Sequence, residues 1–157
     1  MLRVTRLTDY ATVVLTVLAA ETGAVLSAAG LAERAGLEAP TVAKVLKPLA
    51  QAGLVRAFRG VAGGYRLARP ASEITLVEIV EAMEGPLAMT ECSGHEGQCG
   101  IAHSCGARAN WRRINDVVAD ALRRVSLAEM ALPPPADGSR DGDVAPHRAI
   151  PLALTTG

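Results

Sequence analysis

Aromatic side chains are scarce in this chain of 157 residues, with Trp111, Phe58, Tyr10 and Tyr65 forming the full set. A core built without them must be filled by Ala, Val and Leu, and that composition favours helices. Long apolar runs are missing too. No stretch approaches the roughly 20 residues a membrane-spanning helix needs, and the amino terminus lacks the basic, apolar and small-residue order of a secretory signal. The expectation is a cytoplasmic protein with no membrane partner. Net charge is absent as well, since 16 Lys and Arg balance 16 Asp and Glu. Cysteine is limited to Cys92, Cys99 and Cys105. An odd number confined to one short segment argues against a disulfide framework and points to metal or redox chemistry.

The zero balance hides a segregation. Up to Pro70 nine basic residues (Arg3, Arg6, Arg34, Lys44, Lys47, Arg56, Arg59, Arg66 and Arg69) stand against four acids, and beyond it seven stand against twelve. A basic first half suits a polyanion, and an acidic second half suits another task.

Helix signals come first. Residues 8–21 are rich in Ala, Val and Leu without Pro or Gly, with Thr8 as the expected cap and Thr22-Gly23 as the stop. Ser27 precedes a short helix over 28–35 that Gly36 ends. A third begins at Pro40, where Val42, Val45, Leu46 and Leu49 make a core face opposite Thr41, Lys44 and Lys47. Pro48 predicts a kink in it. Strands over 54–59 and 64–68 flank Gly60-Val61-Ala62-Gly63, which reads as a hairpin. Thr75 and Glu78 have capping-box spacing before a helix over 76–84. Residues 87–108 read as a cysteine-bearing loop. From Ala109 to about Ser126 the positions Trp111, Ile114, Val117, Val118, Ala121, Leu122 and Val125 predict one long amphipathic helix.

The expected organisation is therefore a DNA-binding region over 1–70, a linker helix, cysteine loop and dimerisation helix over 71–131, and a disordered tail over 132–157. The fold class is mainly α with a small β-hairpin, a winged helix-turn-helix followed by a long helix.

Two short helices joined at Gly36, the second with a polar face of Thr41, Lys44 and Lys47, match a helix-turn-helix. The amino-terminal end of such a second helix enters the major groove, where Thr and Lys reach base edges and phosphates. An ordinary helical hairpin would share this pattern. The hairpin that follows decides for DNA, because Arg56, Arg59, Arg66 and Arg69 decorate it and Gly60, Gly63 and Gly64 keep its tip thin. The cysteine gaps of six and five residues are wider than those of zinc pairs, which turns the reading toward an iron–sulfur cluster over zinc. The apolar stripe of the long helix suits a second copy of itself or an intrachain core, and a two-fold dimer would space two helix-turn-helix units about one duplex turn apart.

Leu7-Thr-Asp-Tyr-Ala11, Leu31-Ala-Glu-Arg-Ala-Gly36, Arg59-Gly60-Val-Ala-Gly63-Gly64-Tyr65-Arg66 and the three-cysteine loop resemble the Rrf2 family of regulators, of the IscR and NsrR type. Leu87-Ala-Met-Thr-Glu-Cys92, Asn110-Trp111-Arg-Arg-Ile-Asn115 and Val125-Ser-Leu-Ala-Glu-Met130 are similar to the branch that regulates SUF iron–sulfur assembly genes. The likeness spans residues 1–131. It implies a homodimer on a double-stranded operator, with Ser27, Thr41, Lys44, Lys47, Arg59, Gly63, Tyr65 and Arg66 at the DNA. It also implies a cluster on Cys92, Cys99 and Cys105, with 2Fe–2S the first choice and 4Fe–4S the alternative. One departure matters. IscR-like members carry a histidine three residues after the third cysteine, and here that position is Arg108. Asp9 is then the first candidate for a fourth ligand, given across the dimer as NsrR-like members imply, with His103, His95 and Glu91 behind it. A nitric oxide or redox sensor of the same fold is the nearest alternative. A small iron–sulfur electron carrier or scaffold is the alternative of another class.

Overall fold

The first helix, α1 (Arg6–Ala20), starts two residues before the expected point in this computed structural model, which describes residues 3–90 and 105–132. Thr5 is its cap, accepting a hydrogen bond from the Thr8 backbone N–H at 3.3 Å. Thr8, expected to cap, lies one turn in and is buried. Its hydroxyl instead donates to Glu84 Oε1 at 2.5 Å, and the Thr5 backbone N–H donates to the same oxygen at 2.8 Å.

The short helix α2 (Ala28–Ala35) is capped by Ser27, whose Oγ accepts from the Gly30 N–H at 3.1 Å, and it closes at Gly36 in the left-handed region at φ 64°. The helix α3 (Ala39–Gln51) takes Pro40 in its first turn and buries Val42, Val45, Leu46 and Leu49, as the periodicity predicts. Pro48, where a kink is expected, lies inside α3 and does not end it. The helix continues as one element to Gln51, because a proline this close to the end removes one hydrogen bond from a ladder that is about to stop.

Strands β1 (Val55–Phe58) and β2 (Gly64–Leu67) form the hairpin, antiparallel, with Val55 opposite Leu67, Arg56 opposite Arg66 and Ala57 opposite Tyr65. Both strands are shorter than the pattern suggested. Leu26, just before α2, adds a third edge: it exchanges backbone hydrogen bonds of 2.9 and 2.7 Å with Tyr65. A 3-10 turn over Ala71–Glu73 leads to α4 (Leu76–Glu84), which opens with the predicted Thr75–Glu78 capping box.

The long helix expected over 109–126 is α5 (Arg108–Arg123), which ends three residues short, and a further helix not expected from the sequence, α6 (Leu127–Ala131), follows it. Between them the chain is drawn onto the start of α4, with the Leu76 N–H donating to the Val125 carbonyl at 2.9 Å and the Leu127 N–H to the Ile74 carbonyl at 2.8 Å. Ser126 and Glu129 then form a second capping box, which restarts the helix. Leu127 enters one core with Ala11, Val14 and Leu15 of α1, Leu31 of α2, Leu46 and Leu49 of α3, and Ile74 and Ile79. That core holds α2, α3 and the hairpin together with α1.

Candidate nucleic-acid interface and cysteine cleft

The polar side of α3 is set by what its other side buries. Thr41 is half-buried, Lys44 and Lys47 are exposed one turn apart, and the helix begins at Glu38 without a side-chain cap. Lysines exposed one turn apart on one helix are an arrangement that a phosphate backbone satisfies.

The hairpin divides its residues by face. Val55, Tyr65 and Leu67 lie on the side that meets the core, with Tyr65 half-buried against it, while Ala57, opposite Tyr65, stays exposed. Arg56, Phe58 and Arg66 fall on the other side. Arg66 lies over the Phe58 ring at 4.8 Å from its centroid, a contact the sequence reading missed although both residues were in view. Arg56 and Arg66 stand directly opposite each other. Like charges in that position repel, and an anion between them would relieve the repulsion.

Gly63 and Gly64 make this shape feasible. A side chain on Gly64 would land on the Leu26 carbonyl, and one on Gly63 would land on the Phe58 carbonyl. The Gly63 N–H donates to the Gly60 carbonyl at 2.9 Å across the tip, where Gly60 takes φ 110°. Gly63 thus closes the tip, Ser27 caps α2, and Tyr65 anchors the hairpin to Leu26. Arg59 stands exposed at the start of the tip, next to the fully exposed Val61.

Two basic residues of the first half are taken up internally. Arg34 pairs with Glu21. Arg69 donates to Glu78 at 2.7 Å and to the Glu73 carbonyl at 3.0 Å, so it braces α4 rather than decorating a wing. Burial pushes the Glu78 carboxyl up, but the Thr75 backbone N–H and the Arg69 guanidinium outweigh it and hold the group below the usual carboxylate range. Lys44, Lys47, Arg56, Arg59 and Arg66 have no ion pair with a described carboxylate.

Cys105 is the one cysteine among the described residues; Cys92 and Cys99, with Glu91, His95 and His103, lie outside them, as does the tail beyond Leu132. Its thiol is free and partly exposed, just ahead of α5. It lines an open cleft of about 490 Å³ with Arg108, Arg112, Arg113 and Asp116. Three guanidiniums against one carboxylate suit an anionic group at this thiol, and among the described residues Cys105 is the one thiolate donor, with no group of three or more metal-ligating side chains. Asp9 is exposed in the first turn of α1, a place where the helix dipole favours an acid and from which a carboxylate can reach another molecule. The arginines of the cleft were legible in the sequence only as spacing after Cys105.

A family model described as Rrf2, iron-dependent transcriptional regulator, matches residues 4–132. Protein aau3 of Rhizobium meliloti (strain 1021) is 35% identical over 130 residues, 82% of this chain and 84% of that protein. The HTH-type transcriptional regulator IscR of Photorhabdus laumondii is 34% identical over 102 residues, 65% of this chain and 62% of that regulator. Among solved structures, CymR, the global cysteine regulator of B. subtilis, superposes with a TM-score of 0.67 at 28% identity, covering 83% of this chain and 97% of that one. IscR of T. potens does so with a TM-score of 0.61 at 28% identity, covering 82% and 85%.

Proposed function

The chain belongs to the Rrf2 family of transcriptional regulators, and from that premise we propose that it is a homodimeric operator-binding protein whose affinity follows the state of an iron–sulfur cluster. Its relatives regulate transcription and are not enzymes, and among the described residues no helix is long and apolar enough to cross a membrane.

The observation that carries the DNA reading is the set of five cations on α3 and the hairpin that no described carboxylate neutralises. Thr41 and Lys44 read bases in the major groove, Lys47 and Arg66 hold phosphates, and Arg59 with the tip at Gly63 follows the neighbouring groove. Ser27 and Tyr65 keep the two reading elements in register through the Leu26 bridge. A second copy covers Trp111, Ile114 and Val117 of α5, which remain exposed at 37%, 42% and 58% in the single chain.

Cys92, Cys99 and Cys105 hold the cluster, of 2Fe–2S type, with the partner subunit's Asp9 as the fourth ligand, and the regulated genes are those of SUF-type cluster assembly. When bound, such a group supplies a labile inorganic centre whose presence the protein can register. Asp9 sits on α1, which packs against both α2 and α3, so a ligand drawn from it would pass cluster loss to the DNA-reading helices.

Binding to genomic fragments tests the interface. Arg59→Ala is expected to weaken specific and non-specific DNA alike and to lower the salt slope by about 1, whereas Lys44→Ala relaxes base preference by about 1–3 kcal/mol. An unchanged salt slope and affinity in Arg59→Ala rejects the wing. Protein purified without oxygen is expected to contain iron and sulfide, and the triple Cys→Ser variant to dimerise yet footprint differently. Identical footprints reject the switch.

A further inference from the structure

Phe58 is a large apolar side chain placed where the core does not use it. It ends β1, is 37% exposed, and takes no part in the core cluster against which Tyr65 and Leu67 of the hairpin pack. Gly64 stands directly opposite it and offers no side chain, so the ring's neighbour on that face is Arg66, diagonal across the ladder. The Arg66 guanidinium lies over the ring, 4.8 Å from its centroid. Arg56 stands directly opposite Arg66, and like charges so placed push apart. Arg66 has no ion pair with a described carboxylate, whereas Arg34 and Arg69 do. A ring face therefore holds this cation against a repulsion that no carboxylate relieves.

The manner of holding decides what Arg66 can do. A carboxylate partner would occupy N–H donors at the edge of the guanidinium plane, as Glu78 does for Arg69. An aromatic ring takes only the face, and the edge donors remain available to an acceptor. Backbone phosphate matches such planar, paired donors, and a side chain already fixed in place loses less freedom on binding it. We infer that Phe58 is a positioning residue for Arg66, fixing its guanidinium for a phosphate of the duplex; the inference rests on the DNA reading above. Phe58 carries no charge and displaces no counterion, so its effect falls on affinity and leaves the salt dependence to Arg66.

The test measures binding of the full chain to a duplex that the wild type retains from genomic fragments, between about 50 and about 200 mM salt. Wild type, Phe58→Leu, Phe58→Tyr, Arg66→Ala and the double variant Phe58→Leu with Arg66→Ala are compared, with circular dichroism and thermal melting to verify the fold. Phe58→Leu is expected to bind about fivefold more weakly with the wild-type salt slope, and Arg66→Ala to lower that slope by about 1. Phe58→Tyr, which keeps the ring face, recovers the affinity. In the Arg66→Ala background Phe58→Leu is expected to change nothing further, which a merely structural role of the ring would not produce. Wild-type affinity in Phe58→Leu, or an equal loss in both backgrounds, overturns the role of Phe58 and leaves the DNA reading standing. A wild type that retains no duplex at about 50 mM salt overturns both. If Phe58→Leu is misfolded, the wild type decides by nuclear magnetic resonance: the Arg66 side-chain protons are expected upfield under the ring current of Phe58, and ordinary arginine shifts overturn the contact.

Discussion

Thr8 and Glu84 close a contact between chain positions 76 residues apart, fastening the end of α4 to the start of α1. The Thr8 hydroxyl, followed by the Thr5 backbone N–H, holds the Glu84 carboxyl below the usual carboxylate range. A lowered carboxylate value means that the ionised form is the better partner in the folded state. The contribution is therefore full above the ordinary glutamate range and is lost as pH falls through the lowered value. Thr8→Val keeps the buried shape and removes the donor, and it is expected to cost about 1 kcal/mol in urea unfolding at neutral pH. The gap between wild type and Glu84→Gln should close as pH falls below the ordinary glutamate range and through the lowered value. A gap independent of pH would show that the ionised carboxyl is not what fastens the helices. Thr8 illustrates a limit of local reading, since a threonine near a helix start is a cap by spacing and a buried donor only once α4 is placed.

The hairpin shows how an element is shaped by a neighbour remote in sequence. Its alternation and glycines predict two strands and a turn, but the reason for Gly64 is Leu26, whose carbonyl occupies the space a side chain would need. Gly64→Ala is expected to displace the Leu26–Tyr65 bridge, cost about 1–3 kcal/mol of stability and lower operator affinity by shifting the wing relative to α3. Unchanged melting and unchanged affinity in this variant would mean that the close approach is absent in solution. The early end of the expected long helix, at Arg123, has the same origin. Val125 fits the helical stripe by spacing, yet its carbonyl is taken by the Leu76 N–H, and Leu127 is turned into the core. A local periodicity count cannot weigh a backbone pairing made about 50 residues away in the chain.

For the molecule as a unit, α5 decides whether one copy suffices. Asn115 and Ala119 are its buried positions, and the Asn115 side-chain oxygen accepts the Met89 N–H at 3.1 Å. Trp111, Ile114 and Val117 point elsewhere and stay exposed. The proposed dimer places them at a two-fold interface, where a charge is strongly unfavourable. Ile114→Glu and Val117→Glu are expected to give folded monomers in sedimentation velocity that bind a full operator at least about tenfold more weakly, because one recognition unit then loses the linked contribution of the other. A dimer that survives both substitutions would place the interface on another surface.

The amino-acid sequence by itself determined the helical class, the α2–α3 pair, the basic hairpin and the Thr75 cap, because each depends on residues within a few positions of one another: Gly36 after Ala35, Pro40 ahead of a core face, Gly60 to Gly64 at a tip. It also marked Lys44, Lys47, Arg59 and Arg66 as candidate DNA contacts. Only the tertiary structure decided which basic residues remain without a partner. Arg34 and Arg69 look the same in sequence as Arg59 and Arg66, but Glu21 and Glu78 lie beside them in the fold. It likewise decided that Thr8 is buried, that α5 and α6 are separate, and that Arg108 shares a cleft with Cys105. The physical reason is common to all of these. Caps, turns and amphipathic faces are set by near neighbours along the chain, whereas charge pairing, close backbone approach and burial of a polar group depend on which distant segment the core brings alongside.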